Sequence, residues 1–312
     1  MLKDEKLEGF SSAQDAQKLS AARNSLSDSL SPFDKQIAQV EDDQTAAVLL
    51  VGEEWMSGAQ REECSNFLAD KLHSQGIKVR QILTVENDVD VAAFMIWRLN
   101  AAHKYLFVVG GIGAAYGDIS MAAMAKAFGT GVILEPSLLK PVIASAPKDG
   151  LTEYHLRMAY TPYASEIIGT PPSDDECGLG WRRMMMAWPV IKKNNCYLLP
   201  SSIAALEGRF KDNLSPLMRT TPFKSTTIKI QLCPANVSSL LLQAQDEFPL
   251  VTFDQAASTV GGQTDDIGID LVKVAQVRLE SKEHDLLKNA TQRVLDVFGD
   301  YVVSVESDVD GS

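Results

Sequence analysis

A glycine-rich stretch in the first half of the chain has the residue types of a loop that binds an anion. Gly110, Gly111 and Gly113 follow an apolar run and precede a helical pattern. Glycine lets the backbone turn sharply and bring its N–H groups close to a ligand, and the positive end of the following helix favours a phosphate. The spacing matches neither a GxGxxG loop nor a Walker A loop. The stretch is therefore either a phosphate cradle or a plain turn from strand to helix.

Asp118 follows this stretch and begins the predicted helix. An aspartate in that position caps a helix, which is worth about 1 kcal/mol. The alternative is that its carboxylate coordinates a metal ion or activates a water molecule beside the phosphate. Both roles stay open from the residues alone.

Further polar clusters follow the first two predicted strands, Glu53-Glu54 after one and Asn87-Asp88 after the other. In open α/β sheets, ligands bind outside the carboxyl ends of the strands. These clusters are either ligands for a cation or a ribose, or solvated loop residues. Farther along, Arg182-Arg183 and Lys192-Lys193 are either phosphate contacts or solvated charges.

The elements that would position these residues alternate between strands and helices. Continuous apolar runs at residues 46–51 and 105–109 are typical of strands buried on both faces of a parallel sheet. Helical spacing follows each strand, and the pattern predicts a parallel α/β sheet with helices on both faces and right-handed crossovers. The predicted elements are strands at 46–51, 78–85 and 105–109, and helices at 59–75, 88–102 and 118–128.

From residue 222 the pattern changes to the order β-α-β-β-α-β, which is that of a ferredoxin-like α+β unit. The first 44 residues are polar and have few large apolar side chains, so they predict a mobile tail. The sequence therefore predicts three segments: a tail over 1–44, an α/β domain over 45–221 and a smaller ferredoxin-like domain over 222–312.

Composition and charge exclude several classes of protein. Hydrophobic residues make up 45% and charged residues 22%, as in ordinary globular proteins, and no apolar run approaches the ~20 residues that cross a bilayer. The net charge of −12 argues against a nucleic-acid partner. Residues 45–220, however, hold seventeen bases and eighteen acids, so a small dinucleotide is not excluded. Four widely spaced cysteines and the lack of a signal peptide predict a cytoplasmic protein with free thiols.

Several motifs in combination resemble the molybdopterin-binding (MoaB/Mog-like) family. Residues 110–118 resemble its Gly-Gly-Ile/Leu-Gly-Pro-Thr-x-Asp-Asp loop, and residues 51–58 resemble its Gly-Asp-Glu-Ile-Leu-x-Gly segment. Other matching segments are 123–129, 162–170 and 188–200. Within the family the chain looks most like the N-terminal domain of eukaryotic FAD synthase and the CinA proteins, and the resemblance covers residues 45–306.

This resemblance implies a nucleotide pyrophosphatase that cleaves FAD, ADP-ribose or a related dinucleotide with a divalent metal ion (Mg²⁺, Mn²⁺ or Co²⁺). It implies catalytic roles for Asp118, Glu53 and Asp88, with Asp118 and Glu53 holding the metal. The residues that it implies for nucleotide binding are Gly52, Gly110, Gly111, Gly113, Ala114, Ala115, Tyr116 and Thr170. It also implies a homo-oligomer, because relatives often assemble as dimers or trimers. FAD synthesis is not expected, since no counterpart of the synthase's reductase-like domain follows.

The chain departs from the family pattern at positions that would bind metal. Glu53 and Asn87 each replace an aspartate, Ala114-Ala115 replaces Pro-Thr, and Gly117 replaces the first residue of an aspartate pair. Divalent ions need several oxygen ligands close together. An alternative hypothesis is therefore a nucleotide-binding or scaffold protein without turnover. A role in molybdenum-cofactor adenylylation is a third hypothesis.

Overall fold

The computed structural model describes residues 44–146, 150–178, 180–218, 220–259 and 273–308. The chain divides into two units, Met1–Thr220 and Thr221–Ser312, at a boundary one residue from the predicted one. Except for Gln44, the predicted tail over 1–44 lies outside the described residues. Within the described ranges, no helix is both long enough and apolar enough to cross a membrane.

The first unit is built on a mostly parallel sheet. Its strands are β1 (Thr45–Val51), β2 (Lys78–Val85), β3 (Tyr105–Val109), β4 (Val132–Leu134), β5 (Tyr160–Pro162), β6 (Glu166–Ile168), β7 (Val190–Lys193) and β8 (Cys196–Leu199). Six of them form one sheet in the order β2-β1-β3-β8-β7-β6, while β4 and β5 form a separate antiparallel pair. The first four strands in that order are parallel, β7 runs antiparallel to β8, and β6 runs antiparallel to β7. Every residue of β1 is buried, as its continuous apolar run predicts.

Helices cover both faces of this sheet. They are α1 (Glu53–Met56), α2 (Cys64–Ser74), α3 (Val89–Ala102), α4 (Ser120–Ala127), α5 (Pro136–Ala144), α6 (Glu153–Arg157), α7 (Asp174–Gly178), α8 (Trp181–Met186) and α9 (Ile203–Arg209). Alternate side chains of β1 enter two different cores, since successive residues of a strand point to opposite faces. Leu49 packs with Ile96 of α3 and Met124 of α4. Val48 packs with Leu68 of α2 and Leu206 of α9. The predicted α/β fold is confirmed.

The second unit has the order β9 (Lys224–Ile230), α10 (Pro234–Glu247), β10 (Thr252–Thr259), β11 (Lys273–Ser281), α11 (His284–Phe298) and β12 (Val302–Ser307). Its strands are antiparallel, in the spatial order β10-β11-β9-β12. Leu287, Ala290 and Val294 recur at helical spacing along α11 and pack on Ile228 and Val277 of the sheet. This topology confirms the predicted ferredoxin-like unit.

The helix predicted over residues 59–75 begins later, at Cys64. The chain first forms the short helix α1 and then turns at Gly58, whose φ is +73°. Glu62 then fixes the start of α2, because its carboxylate accepts a hydrogen bond from the Ser65 N–H at 2.8 Å. The apolar spacing of α2 predicts which face is buried, but it carries no information on this hydrogen bond.

Candidate functional site

The glycine loop joins β3 to α4, and two of its residues need to be glycine. Gly110 has φ +92°, and a Cβ there would lie 2.7 Å from the carbonyl oxygen of Val51. Gly111 has φ +66°, and a Cβ there would lie 2.5 Å from Ser120 Oγ. Left-handed backbone and lack of space both exclude a side chain. The turn requirement therefore explains these two glycines without any ligand.

Ser120 ties the loop to the start of α4. Its buried hydroxyl donates to the Gly110 carbonyl at 2.8 Å, and its backbone N–H donates to the Gly111 carbonyl at 2.9 Å. On the other side, the Gly110 N–H donates to the Leu199 carbonyl at the end of β8, at 3.0 Å. These bonds hold the loop at the carboxyl ends of the parallel strands, where α/β proteins bind ligands.

Asp118 lies on the loop and does not cap the helix. Helix α4 begins at Ser120 and has Ile119 as its N-cap, so the predicted helix start at Asp118 and the capping role considered for it are wrong. Its carboxylate instead accepts a hydrogen bond from the Ala115 N–H at 2.5 Å. The Gly113 N–H also bonds to it. The carboxylate thus closes the loop on itself.

The surroundings of the Asp118 carboxyl group raise its pKa above the ordinary value. Burial is the largest cause, because it penalises the charged form, and the nearby Glu54 carboxylate adds to the increase. The N–H groups of Ala115 and Gly113 and the Arg157 guanidinium lower the pKa and offset part of this effect.

The structure brings Glu54, not Glu53, to the loop. Glu54 is half-buried, and its carboxylate lies 2.7 Å from where a Cβ on Gly52 would stand. Glu53 is exposed, and it is absent from the charged groups that act on Asp118. Neighbouring residues of a helix point about 100° apart, so only one of two adjacent acids on α1 faces the loop.

Of the second polar cluster, Asn87 lies against the loop, where a Cβ on Gly117 would be 2.6 Å from its Nδ2 atom. Asp88 caps α3, since its carboxylate accepts hydrogen bonds from the N–H groups of Asp90 and Val91 at 2.7 and 2.9 Å. The carboxylate of Asp88 is therefore engaged in holding a helix terminus.

These donors do not fit the resident metal ion that the family resemblance implies. In the part of the chain that the structure describes, no three Asp, Glu, His or Cys side chains are grouped to hold an ion. Asp118 is bonded to the loop, Glu53 is exposed and Asp88 caps a helix. Divalent cations take several oxygen ligands. The catalytic and metal-binding roles of these three residues stay predictions.

The glycine loop forms a wall shared by two clefts, of about 590 and 520 Å³. Gly111, Ile112, Gly113 and Asp118 line both of them. These volumes are those of typical small-molecule sites, which run from about 300 to 1,000 Å³. A ligand on the loop therefore has room on either side of it.

Each cleft combines one arginine with apolar walls. Arg182 enters the first cleft, and Arg157 enters the second. Arg157 is held in place, because it donates to the Asp118 carbonyl at 3.2 Å and its guanidinium lies over the Tyr154 ring, 5.2 Å from the centroid. The other walls are Met185, Met186, Pro200, Ser201, Ser202, Ala204 and Ala205 in the first cleft, and Met121, Ala122, Val132, Glu153, Leu156 and Tyr160 in the second.

Comparison with protein families decides the classification of the first unit. Residues 47–220 match the model of the family described as "Probable molybdopterin binding domain". The chain belongs to this family. The resemblance predicted from the motifs is confirmed, and FAD synthase and CinA-like proteins are both among the matches.

Individual relatives of this molybdopterin-binding-type chain match only parts of it. Protein TK1472 of Thermococcus kodakarensis is 32% identical over 133 residues, which are 39% of this chain and 53% of that protein. A probable FAD synthase of Caenorhabditis elegans is 25% identical over 190 residues, which are 55% of this chain and 36% of that protein. The chain thus spans about half or less of these relatives. The solved structure of CinA from Thermoplasma acidophilum covers 56% of this chain and 99% of its own, with 20% identity and a TM-score of 0.47.

The molybdopterin-binding-type domain places the predicted nucleotide-binding residues in three groups. Gly111, Gly113, Ala114 and Ala115 line a cleft. Gly52 and Gly110 are buried and line neither cleft. Tyr116 is 86% exposed and Thr170 is exposed, and neither lines the two clefts described above.

Sequence reasoning missed Arg157 and Tyr160, which line the second cleft. Arg182 and Arg183 were both considered as phosphate contacts or solvated charges, and only Arg182 lines the first cleft. These residues come from a region without clear periodicity. The feature that could have identified them is their residue type, because an arginine and a tyrosine lie on elements that pass close to the end of the loop.

Proposed function

We propose that the first unit binds a phosphate-bearing nucleotide or pterin across the glycine loop. One observation carries this proposal: the loop is the shared wall of two ligand-sized clefts, and each cleft has its own arginine. Membership of the molybdopterin-binding family supports the same class of ligand.

The phosphate would lie over Gly111–Gly113, which line both clefts. Arg182 and Arg157 would reach its oxygens from opposite sides, and a guanidinium binds phosphate through paired N–H groups. Because Arg157 is already oriented by Tyr154 and the Asp118 carbonyl, little of its side-chain freedom remains to be lost on binding.

The ring systems of the ligand would lie against the apolar walls. Met185, Met186 and Pro200 form such a wall in the first cleft, and Val132 and Tyr160 form one in the second. Methionine packs well on aromatic rings because its side chain is flexible and polarisable. Walls that are mostly apolar, with a few polar groups to fix orientation, are typical of small-molecule sites.

The test is calorimetric titration of FAD and of ADP-ribose into wild type, Arg182→Ala and Arg183→Ala. The two arginines are neighbours in α8 and equally charged, but only Arg182 lines the first cleft. We expect Arg182→Ala to weaken binding by about tenfold or more, because hydrogen bonds to charged groups are worth about 1.5–3 kcal/mol. Arg183→Ala should change affinity little. Equal effects of the two variants, or no binding by wild type, would contradict the proposal.

A second candidate is cleavage of a bound pyrophosphate, as in the FAD or ADP-ribose pyrophosphatase that the family resemblance implies. One observation favours it: the Asp118 carboxyl group lies on the loop with its pKa raised by burial, and perturbed pKa values cluster at functional sites. Chromatography of FAD and ADP-ribose after incubation with Mg²⁺, Mn²⁺ or Co²⁺ tests it. Mononucleotide products that disappear in Asp118→Ala would support the hydrolase. No products with any metal would exclude it and leave a binding or scaffold protein.

A further inference from the structure

We infer that Asp118 is a specificity-determining residue, because its carboxylate occupies the N–H groups that a ligand's phosphate would use. The consequence is a preference for bridging phosphates over terminal phosphates. This inference rests on the proposed function, since it concerns which phosphates the same loop accepts.

The geometry shows the carboxylate acting as an internal anion. Its Oδ2 atom accepts from the Ala115 N–H at 2.5 Å, and the Gly113 N–H bonds to the same group. Gly113 leaves no spare room, because a Cβ there would lie 2.7 Å from Oδ2. Backbone N–H groups that converge on one carboxylate in this way form an anion-binding concavity. A phosphate that enters it must displace Asp118 or bind alongside it.

Charge then discriminates between phosphates. Near neutral pH a terminal phosphate carries about −1.5 to −2, whereas each phosphate of a bridging pyrophosphate carries about −1. Asp118 and Glu54 lie at this end of the loop, so they repel the charge concentrated on one terminal phosphate more strongly than the charge that a pyrophosphate spreads over two groups.

The remaining charged groups around the loop act from the cleft walls. Arg157 interacts with Asp118 and lines the second cleft together with Glu153, and Arg182 lines the first cleft. The two arginines attract both kinds of phosphate. The difference between the two kinds therefore arises chiefly at Asp118, which touches the loop N–H groups directly.

The experiment measures the affinities of AMP, with a terminal phosphate, and of ADP-ribose, with bridging phosphates, by calorimetry at pH 7.5 in EDTA. Asp118→Asn keeps the shape of the side chain and removes its charge. We expect AMP to bind about tenfold more tightly to Asp118→Asn than to wild type. The affinity for ADP-ribose should change about threefold or less, so the preference for ADP-ribose over AMP becomes smaller. Asp70→Asn is the matched control, because it removes the same charge from an exposed residue of α2 that lines neither cleft. It should leave the AMP to ADP-ribose ratio nearly unchanged.

Weaker AMP binding by Asp118→Asn, or an equal change for both ligands, would overturn the inference. Asp118→Ala is the second variant, to be used if Asp118→Asn does not fold, and the same increase in AMP affinity is expected for it.

The proposed function and this inference fail in different ways. If wild type binds ADP-ribose and Asp118→Asn leaves the ratio unchanged, only the inference fails. If neither wild type nor Asp118→Asn binds either ligand, both fail.

Discussion

Gly111→Ala should destabilise the first unit much more than Gly129→Ala, although the two glycines have almost the same backbone conformation. Their φ angles are +66° and +61°. An alanine in this left-handed region costs about 1–2 kcal/mol at either position. The surroundings differ, however. Nothing lies within 4 Å of a Cβ on Gly129, whereas a Cβ on Gly111 would lie 2.5 Å from Ser120 Oγ.

The additional cost at Gly111 follows from the bond that must break. Ser120 is fully buried, and its hydroxyl donates to the Gly110 carbonyl at 2.8 Å. A methyl group on residue 111 displaces that hydroxyl, and the loss of a buried hydrogen bond costs about 1–3 kcal/mol. We therefore expect a total of about 2–5 kcal/mol for Gly111→Ala, against about 1–2 kcal/mol for Gly129→Ala.

Urea unfolding followed by tryptophan fluorescence measures this difference, because all four tryptophans lie between residues 55 and 188. The double variant Ser120→Ala/Gly111→Ala adds a second check. Removing the hydroxyl makes room for the methyl group, so the double variant should cost less than the sum of the two single variants. Equal destabilisation by Gly111→Ala and Gly129→Ala, or strict additivity in the double variant, would refute the reasoning.

Three further predictions concern other parts of the molecule. The folded state binds the proton of Asp118 more tightly than the unfolded state, since burial raises its pKa. Its contribution to the free energy of unfolding should therefore fall as pH rises from about 3.9 through the raised pKa. Urea unfolding of wild type and Asp118→Asn from pH 3 to 7 measures this effect, and a difference between their midpoints that stays constant with pH would argue against it. At pH 8, Ellman's reagent should react promptly with Cys233 alone in the native protein, because the other three cysteines are buried. Burial also raises the pKa of Cys64 to about 11 and that of Cys196 further. Prompt reaction of two or more thiols would count against this prediction. Phe298→Ala should lower the free energy of unfolding by about 3–5 kcal/mol, because Phe298 is 2% exposed in the core of the second unit. A decrease below about 1 kcal/mol, measured by urea unfolding followed by circular dichroism, would contradict that packing.

The strands could be predicted closely from the sequence because burial on both faces leaves a simple pattern. The bounds of β3, Tyr105–Val109, coincide with the predicted ones, and β1 begins one residue early. Helix starts were predicted less well. Before α2 the Glu62 carboxylate accepts a hydrogen bond from the Ser65 N–H, and before α4 Asp118 closes the loop. Neither feature leaves a periodic pattern in the sequence.

The candidate site was predicted in part. The glycine loop and Asp118 stand out locally, because a run of glycines between a strand and a helix is a strong signal. The choice between Glu53 and Glu54 depends on the direction of one short helix, and four residues are too few to show a period. Arg157 and Arg182 approach the loop from elements distant in sequence, so only the tertiary fold reveals that they share it.

The central claim is that the loop between the two clefts is a phosphate site, and a crystal structure of the protein with ADP-ribose tests it most directly. The account predicts phosphate density against Gly111–Gly113, within hydrogen-bond distance of Arg157 or Arg182. Density for the ligand away from the loop, with both arginines uninvolved, would contradict it.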